Sequence, residues 1–254
     1  MHNSSYQKML SFISTYGSKF PKGADGRPRI LEIGSKGYHG QPAYRDFLPA
    51  KDYAFTGLDL EAGINVDLVP ANGYVWSEIA DNSFDGCISG QTFEHNPFFW
   101  VTFAEIARVL VPGGYLCIIA PGGGLVHRYP YDCWRFYPDS WAPLAAMTQL
   151  ELVETYFEPD KLATRVKGGH FRDSAVIARK PNLTGHELEA FNERLRAFVK
   201  PYTAKTTQFE PVIQKIGPAF TDYEERIAKT APSIVRSLRK RVTPRNLRNI
   251  FAPD

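Results

Sequence analysis

Cysteine is scarce in this chain. Cys87, Cys117 and Cys133 make an odd count with no C-x-x-C pair, which argues against a disulfide framework and a cysteine-built metal cluster. Cys87 and Cys117 fall in apolar, strand-like runs and read as buried, inert thiols. No metal site is expected, and the pattern suits a reducing, cytoplasmic compartment. Long apolar runs are missing too: none reaches the ~18 residues that a membrane-spanning helix requires. The N-terminus has no basic stretch followed by an apolar one, so no secretory leader is expected. Large net charge is absent, since 30 Lys/Arg stand against 27 Asp/Glu. Residues 1–180 hold 17 basic and 19 acidic residues, so the bulk of the chain offers no basic face to nucleic acid. Internal repeats and low-complexity segments are also lacking.

What is present is alternation. Seven short apolar runs bounded by turn residues read as strands: Ile30–Ile33, Tyr53–Asp59, Asn65–Val69, Phe84–Ser89, Tyr115–Ala120, Glu151–Phe157 and Ser174–Arg179. Helical spacing appears in Tyr6, Met9, Leu10, Phe12, Ile13 and Tyr16, a packing helix. A second apolar face is Phe99, Phe103, Ile106, Ala107 and Leu110, ended by Pro112-Gly113-Gly114. Pro138–Met147 is a third helix, with Asp139 and Ser140 near its start as caps. Strands alternating with helices predict a Rossmann-like α/β fold, a doubly wound, mostly parallel seven-stranded sheet. No helix separates the last two strands, so one of them is free to run antiparallel. Only about four residues lie between the second and third strands, too few for a crossover helix.

The organisation is read as an N-terminal helical segment (1–27), an α/β domain (28–180) and a helical, basic C-terminal extension (181–254). In the extension Leu188, Phe191, Leu195, Phe198 and Val199 form a stripe ending before Pro201, and Thr221 with Glu224 forms a capping box.

The most informative stretch is Arg29–Gly40. The first strand ends on Glu32-Ile33 and enters a turn punctuated by Gly34, Gly37 and Gly40. Glycines at the carboxyl end of a parallel strand let the backbone approach a nucleotide closely. The spacing G-x-x-G-x-x-G departs from the G-x-G-x-x-G fingerprint of dinucleotide binders, which disfavours NAD and FAD. Asp59, at the end of the next strand, lies at the spacing of a carboxylate that accepts from ribose hydroxyls. Together these point to an adenosyl-type cofactor.

A second constellation follows. Asp81-Asn82-Ser83-Phe84-Asp85 opens a strand, Gln91-Thr92-Phe93-Glu94-His95 follows it, and Arg108-Val109-Leu110-Val111-Pro112-Gly113-Gly114 leads into the next. Here the chain resembles the class I S-adenosylmethionine-dependent methyltransferases, in particular the broad type 11-like group, over roughly residues 28–180. The resemblance implies S-adenosyl-L-methionine as cofactor. It implies that Glu32, Gly34, Ser35 and Gly37 line its methionine and ribose part, that Asp59 holds the ribose hydroxyls with Leu60 beside the adenine, and that Gln91 faces the transferable methyl. Two positions depart from the family pattern. Lys36 stands where E/D-x-G-x-G-x-G has its middle glycine, and Pro70-Ala71-Asn72 stand where an acidic residue is usual, with Asp67 as the substitute.

A third region, Pro121–Tyr137, is dense in His, Arg, Asp and aromatic residues, and loops at this edge of a sheet carry binding and catalytic groups. His127, Arg128 and Asp132 are read as pocket residues, with Tyr131, Trp134, Arg135 and the more distant His170 as acceptor contacts. Trp134 and Phe136 suit packing as well. Transfer to an alcohol needs removal of its proton, a task for histidine: His127 is the first candidate base, His95 the second and His170 the third, with Asp132 as a further catalytic candidate. Ser89-Gly90-Gln91 stands where an Asn/Asp-Pro-Pro-Tyr/Phe element would grip a planar amino group, so methylation of a nucleobase or amide nitrogen by that route is not expected.

The expected activity is O-methylation of a hydroxyl on a saccharide or a cell-surface glycan precursor. The alternatives are a small-molecule or tRNA methyltransferase and a non-catalytic cofactor-binding partner protein. Residues 233–248 combine six Arg/Lys with Ile234, Val235, Leu238 and Val242, the composition of a helix lying on anionic lipid. A peripheral membrane contact is therefore expected there, with nucleic acid as the rival partner.

Overall fold

The computed structural model describes residues 3–37, 40–159 and 171–203. Among these residues four helices, α1 (Asn3–Tyr16), α2 (Phe99–Val109), α3 (Trp141–Thr148) and α4 (Gly185–Val199), accompany six strands. The strands are β1 (Arg29–Ile33), β2 (Ala54–Leu58), β3 (Phe84–Gly90), β4 (Leu110–Pro121), β5 (Glu151–Phe157) and β6 (Asp173–Arg179). They form one sheet in the order β2-β1-β3-β4-β6-β5. The first four run parallel, and β6 is antiparallel to both β4 and β5. The chain moves outward from β1 to β2 and then returns to β3 on the other side. That reversal opens a crevice at the carboxyl ends of β1 and β3, where doubly wound sheets bind ligands.

Each face of the sheet is closed by its own apolar layer. Leu31, Ile33, Leu116, Ile118 and Val176 face α2, α3 and α4, joined by Trp76, Trp141, Phe191 and Leu195. Ile30, Ile88, Cys117 and Ile119 face α1 through Met9, Phe12 and Ile13, with Phe20, Tyr44 and Leu48. Alternate residues of one strand thus enter opposite cores. The buried apolar residues of α4, Phe191, Leu195 and Val199, recur every four positions, as an amphipathic helix requires.

Three expectations are corrected. Residues 65–69 are not a strand, so the sheet has six strands among the described residues. Leu68 makes one parallel bridge to Leu58, and Ile64 one antiparallel bridge to Gly37. The link from Asp59 is too short for a crossover, and Asn65 reverses the chain with φ 67°. Gly57 permits this close return, because a Cβ there would lie 1.9 Å from the Asn65 carbonyl oxygen. Asp139 and Ser140 do not cap α3: a 3-10 turn, Pro138–Ser140, leads into it without a side-chain cap, and the Ser140 hydroxyl donates to the Tyr137 carbonyl at 2.7 Å. The strand expected from Tyr115 already begins at Leu110, which ends α2 at Val109.

No crossover helix covers the long stretch between β2 and β3. Arg108 holds it from beneath. Its guanidinium donates to the Trp76 and Ile79 carbonyls and to Asp81 at 2.9, 2.8 and 2.7 Å. Glu105, fully buried, receives Arg108 at 2.8 and 2.7 Å and the Trp76 N–H at 2.8 Å. The arginine of the R-V-L-x-P-G-G element is therefore a staple for an irregular loop. The Thr221–Glu224 capping box and the basic stripe 233–248 lie outside the described residues.

Candidate active site

A cavity of ≈ 300 Å³ opens where β1, β2 and β3 end, at the small end of the range for cofactor pockets. Its wall includes Glu32, Gly34, Ser35 and Gly37 from β1 and its turn, Asp59 and Leu60 after β2, and Gln91 and His95 after β3. Gly34 is required by geometry. Its φ is +76°, and a Cβ there would lie 2.1 Å from the Thr92 hydroxyl oxygen. The turn is anchored by the N–H groups of Gly34 and Ser35, which both donate to the Leu58 carbonyl at 2.9 and 3.1 Å.

Two buried polar atoms on this wall have no protein partner, Glu32 Oε2 and Ser35 Oγ. Leaving a buried polar group unpaired costs about 1–3 kcal/mol, so both fit a polar ligand. Burial pushes the Glu32 carboxyl up to about 8, with Arg45 pulling it down and Asp59 and Asp46 adding to the rise. Asp59 Oδ2 accepts the Lys36 N–H at 2.9 Å. The Lys36 ammonium donates to Glu61 at 2.6 Å, and both residues line the cavity. Asp67 does not line the cavity: its carboxylate accepts the Gly57 N–H at 2.7 Å and pairs with Arg45.

Gln91 adopts φ 58°, an uncommon left-handed conformation for a side-chain-bearing residue. Its amide donates to Asp173 Oδ1 at 3.0 Å. Asp173, 1% exposed, also receives Ser4 and Lys8 of α1 at 2.8 Å each. The N-terminal helix thereby holds the floor on which Gln91 rests.

The far end of the cavity carries histidine. His95 lines it, and His95 Nδ1 lies 2.5 Å from the Tyr131 carbonyl. A carbonyl only accepts, so Nδ1 carries the hydrogen and Nε2 the lone pair. Burial lowers the His95 pKa below the ordinary imidazole value. The His127 ring stands edge-on behind it, 5.0 Å between centroids, and does not line the cavity. Of the first two candidate bases, His95 lines the cavity and His127 stands behind it. Asp132 is engaged structurally: it accepts the His127 N–H at 2.7 Å and two Arg135 N–H groups at 2.5 and 2.8 Å.

Among the expected acceptor contacts that fall within the described residues, only Tyr131 lines the cavity. Trp134 donates to the Asn96 carbonyl at 3.0 Å and packs on Phe99 and Trp100. Arg128 is exposed, and Phe136 is core, stacked on Trp141. His170 lies outside the described residues. Tyr74, Asn96 and Tyr129 line the cavity without having been foreseen. Tyr74 sits in the irregular 59–83 stretch, where no periodicity marks it.

Residues 48–118 match the family model described as a methyltransferase domain. Among solved structures, the chain is similar to the CurJ carbon methyltransferase, with a TM-score of 0.50 and 13% identity over 69% of this chain and 54% of that one. It is similar to 1,6-didemethyltoxoflavin-N1-methyltransferase of Burkholderia thailandensis, bound to 1,6-didemethyltoxoflavin and S-adenosylhomocysteine (TM-score 0.47, 17% identity, 70% and 84% coverage). A SAM-dependent methyltransferase of Methanosarcina mazei gives a TM-score of 0.48 and 16% identity, covering 66% of this chain and 97% of that one. No curated protein matches the chain. The sheet order and the cavity at its reversal point define a Rossmann-like fold of the class I methyltransferase type. The family match adds a methyltransferase domain model over residues 48–118 to that fold.

Proposed function

We propose that the protein transfers a methyl group from S-adenosylmethionine to a hydroxyl of a polar acceptor, a saccharide or glycan precursor. The observation that carries this reading is His95, which lines the same cavity as Gly34 and Gln91 with its tautomer fixed by the Tyr131 carbonyl. Bound in the cavity, S-adenosylmethionine supplies an already activated sulfonium methyl. Glu32 and Ser35 bring polar atoms without protein partners to its polar end, and Asp59 brings a carboxylate to its ribose. What remains for the chain is alignment, which is worth several powers of ten in rate, and removal of the acceptor's proton. His95 Nε2 is the lone pair offered for that proton, and His127 behind it supports the ring. Gln91, tied to Asp173, is held rigidly at the end of β3 beside them.

The test is transfer of radiolabelled methyl from S-adenosylmethionine to free sugars, sugar nucleotides, small amines and tRNA. The reading expects label in a base-stable methyl ether on a saccharide. Label confined to an amine or to tRNA would replace it with the alternative acceptor classes. Cofactor binding without transfer to any of them would favour the non-catalytic partner.

A further inference from the structure

Glu94 is a buried acid with nothing to hold. Its side chain is fully buried, and neither carboxyl oxygen has a hydrogen-bond partner. It sits in the 3-10 turn Phe93–His95 that follows Gln91. The backbone around it is well bonded: its carbonyl accepts the Cys133 and Trp134 N–H groups at 2.7 and 3.2 Å. Those bonds fasten the 122–137 loop against the turn and bring His127 close. The Arg135 Nη groups are taken up by Asp132, Leu125 O and Trp134 O, and none of its nitrogens is hydrogen-bonded to Glu94.

Two imidazoles face this carboxylate. Glu94 Oε1 lies 3.6 Å from His95 Nε2, and one donor atom each from Glu94, His95 and His127 lies within 4.8 Å of the others. Both rings have the outer contacts that metal-binding histidines use to fix their tautomer. His95 Nδ1 meets the Tyr131 carbonyl at 2.5 Å. His127 Nδ1 lies 3.3 Å from the Leu125 carbonyl and 3.6 Å from Asp132. In each ring Nε2 is left as the lone pair. Two imidazoles and one carboxylate are a donor set of catalytic zinc sites, and imidazole suits zinc and its neighbours better than magnesium or calcium.

We propose that Glu94, His95 and His127 bind a divalent ion of zinc type, with its open position toward the cavity. Tetrahedral zinc with ligands at ~2.0–2.1 Å sets them roughly 3.3 Å apart, so loading draws the donors inward by about an ångström. His127, whose side chain is 36% exposed, is the ligand with room to move. The role in catalysis rests on the hydroxyl-acceptor reading above. A hydroxyl oxygen in the open position has its pKa lowered as bound water does, and its proton leaves to solvent while the oxygen keeps the electron pair. His95 then acts through the ion rather than by taking the proton itself.

The experiment is calorimetric titration of zinc chloride into the chelator-stripped full chain, alongside visible spectra of the cobalt-loaded protein. Wild type is expected to bind one equivalent and to show tetrahedral cobalt bands. Glu94→Gln and His127→Ala are each expected to weaken binding at least tenfold, while His186→Ala, on exposed α4 surface, leaves it unchanged. His127→Ala keeps the test decisive where Glu94→Gln fails to fold. Absence of a stoichiometric site, or equal affinity in wild type and His127→Ala, overturns the proposal. Methyl transfer by the stripped protein at the full wild-type rate overturns its catalytic role and leaves the acceptor reading standing. Stoichiometric zinc with no hydroxyl methylated does the reverse.

Discussion

The backbone N–H of Lys36 donates to Asp59 Oδ2 at 2.9 Å, while the Lys36 ammonium turns outward to Glu61. The residue that breaks the glycine pattern therefore orients Asp59 through its main chain. Asp59→Ala is expected to weaken S-adenosylmethionine binding ~10–100-fold, the worth of hydrogen bonds to a charged group. Lys36→Ala is expected to change it less than about threefold. Calorimetric titration of both variants separates the two.

Glu32 gives the binding a pH dependence. Its carboxyl is raised by burial to about 8, so the free protein holds a proton there at neutral pH. The cofactor's ammonium favours the carboxylate, so affinity should rise as pH increases through about 8, with proton uptake by the buffer. Folding stability runs the other way. The native state keeps a proton that the unfolded chain loses above ~4.5, so this group's contribution falls from there to about 8. Glu32→Gln should flatten both profiles. A Kd that tightens with pH in wild type and Glu32→Gln alike would assign the effect elsewhere.

Arg108 predicts a stability defect remote from the chemistry. Removing one partner of a buried ion pair costs about 3–5 kcal/mol, and Arg108→Met would also orphan the Trp76 and Ile79 carbonyls. A lower denaturation midpoint, with cofactor affinity retained in the folded fraction, is the expected result in urea titration.

These residues also show how far the sequence could be read. The glycine turn, Asp59 and Gln91 were legible because local chemistry places them at strand ends, and the strand ends converge in any sheet that reverses at β1. The six strands followed from short apolar runs bounded by turns. The seventh failed because Asn65–Val69 has strand-like residues but too short a link, a constraint of chain length rather than composition. Asp132 and Arg135 looked like pocket residues by type, yet they neutralise each other, which only three-dimensional packing reveals. Glu94 went unread for the same reason: its emptiness depends on a loop more than thirty residues away.

Lys180 supplies a second titration, on the opposite side of the sheet from the N-terminal helix. Its ammonium is buried, donates to Asn82 and Asn192 at 2.8 and 2.9 Å, and is pulled down to about 7, chiefly by desolvation. The unfolded chain binds this proton up to about 10.5, so between about 7 and 10.5 stability from this group rises with pH. Lys180→Gln should remove that rise in thermal melts collected across the range; a slope unchanged in the variant would mean another group titrates.

The cavity at the ends of β1, β2 and β3 is proposed as an S-adenosylmethionine site built on Glu32 and Asp59. Isothermal titration of the full chain with S-adenosylmethionine, S-adenosylhomocysteine and NADH tests it most directly. One site is expected for each adenosyl-sulfur ligand, weakened at least tenfold by Asp59→Ala, with no measurable heat from NADH. No binding of S-adenosylmethionine, or binding indifferent to Asp59, would contradict it.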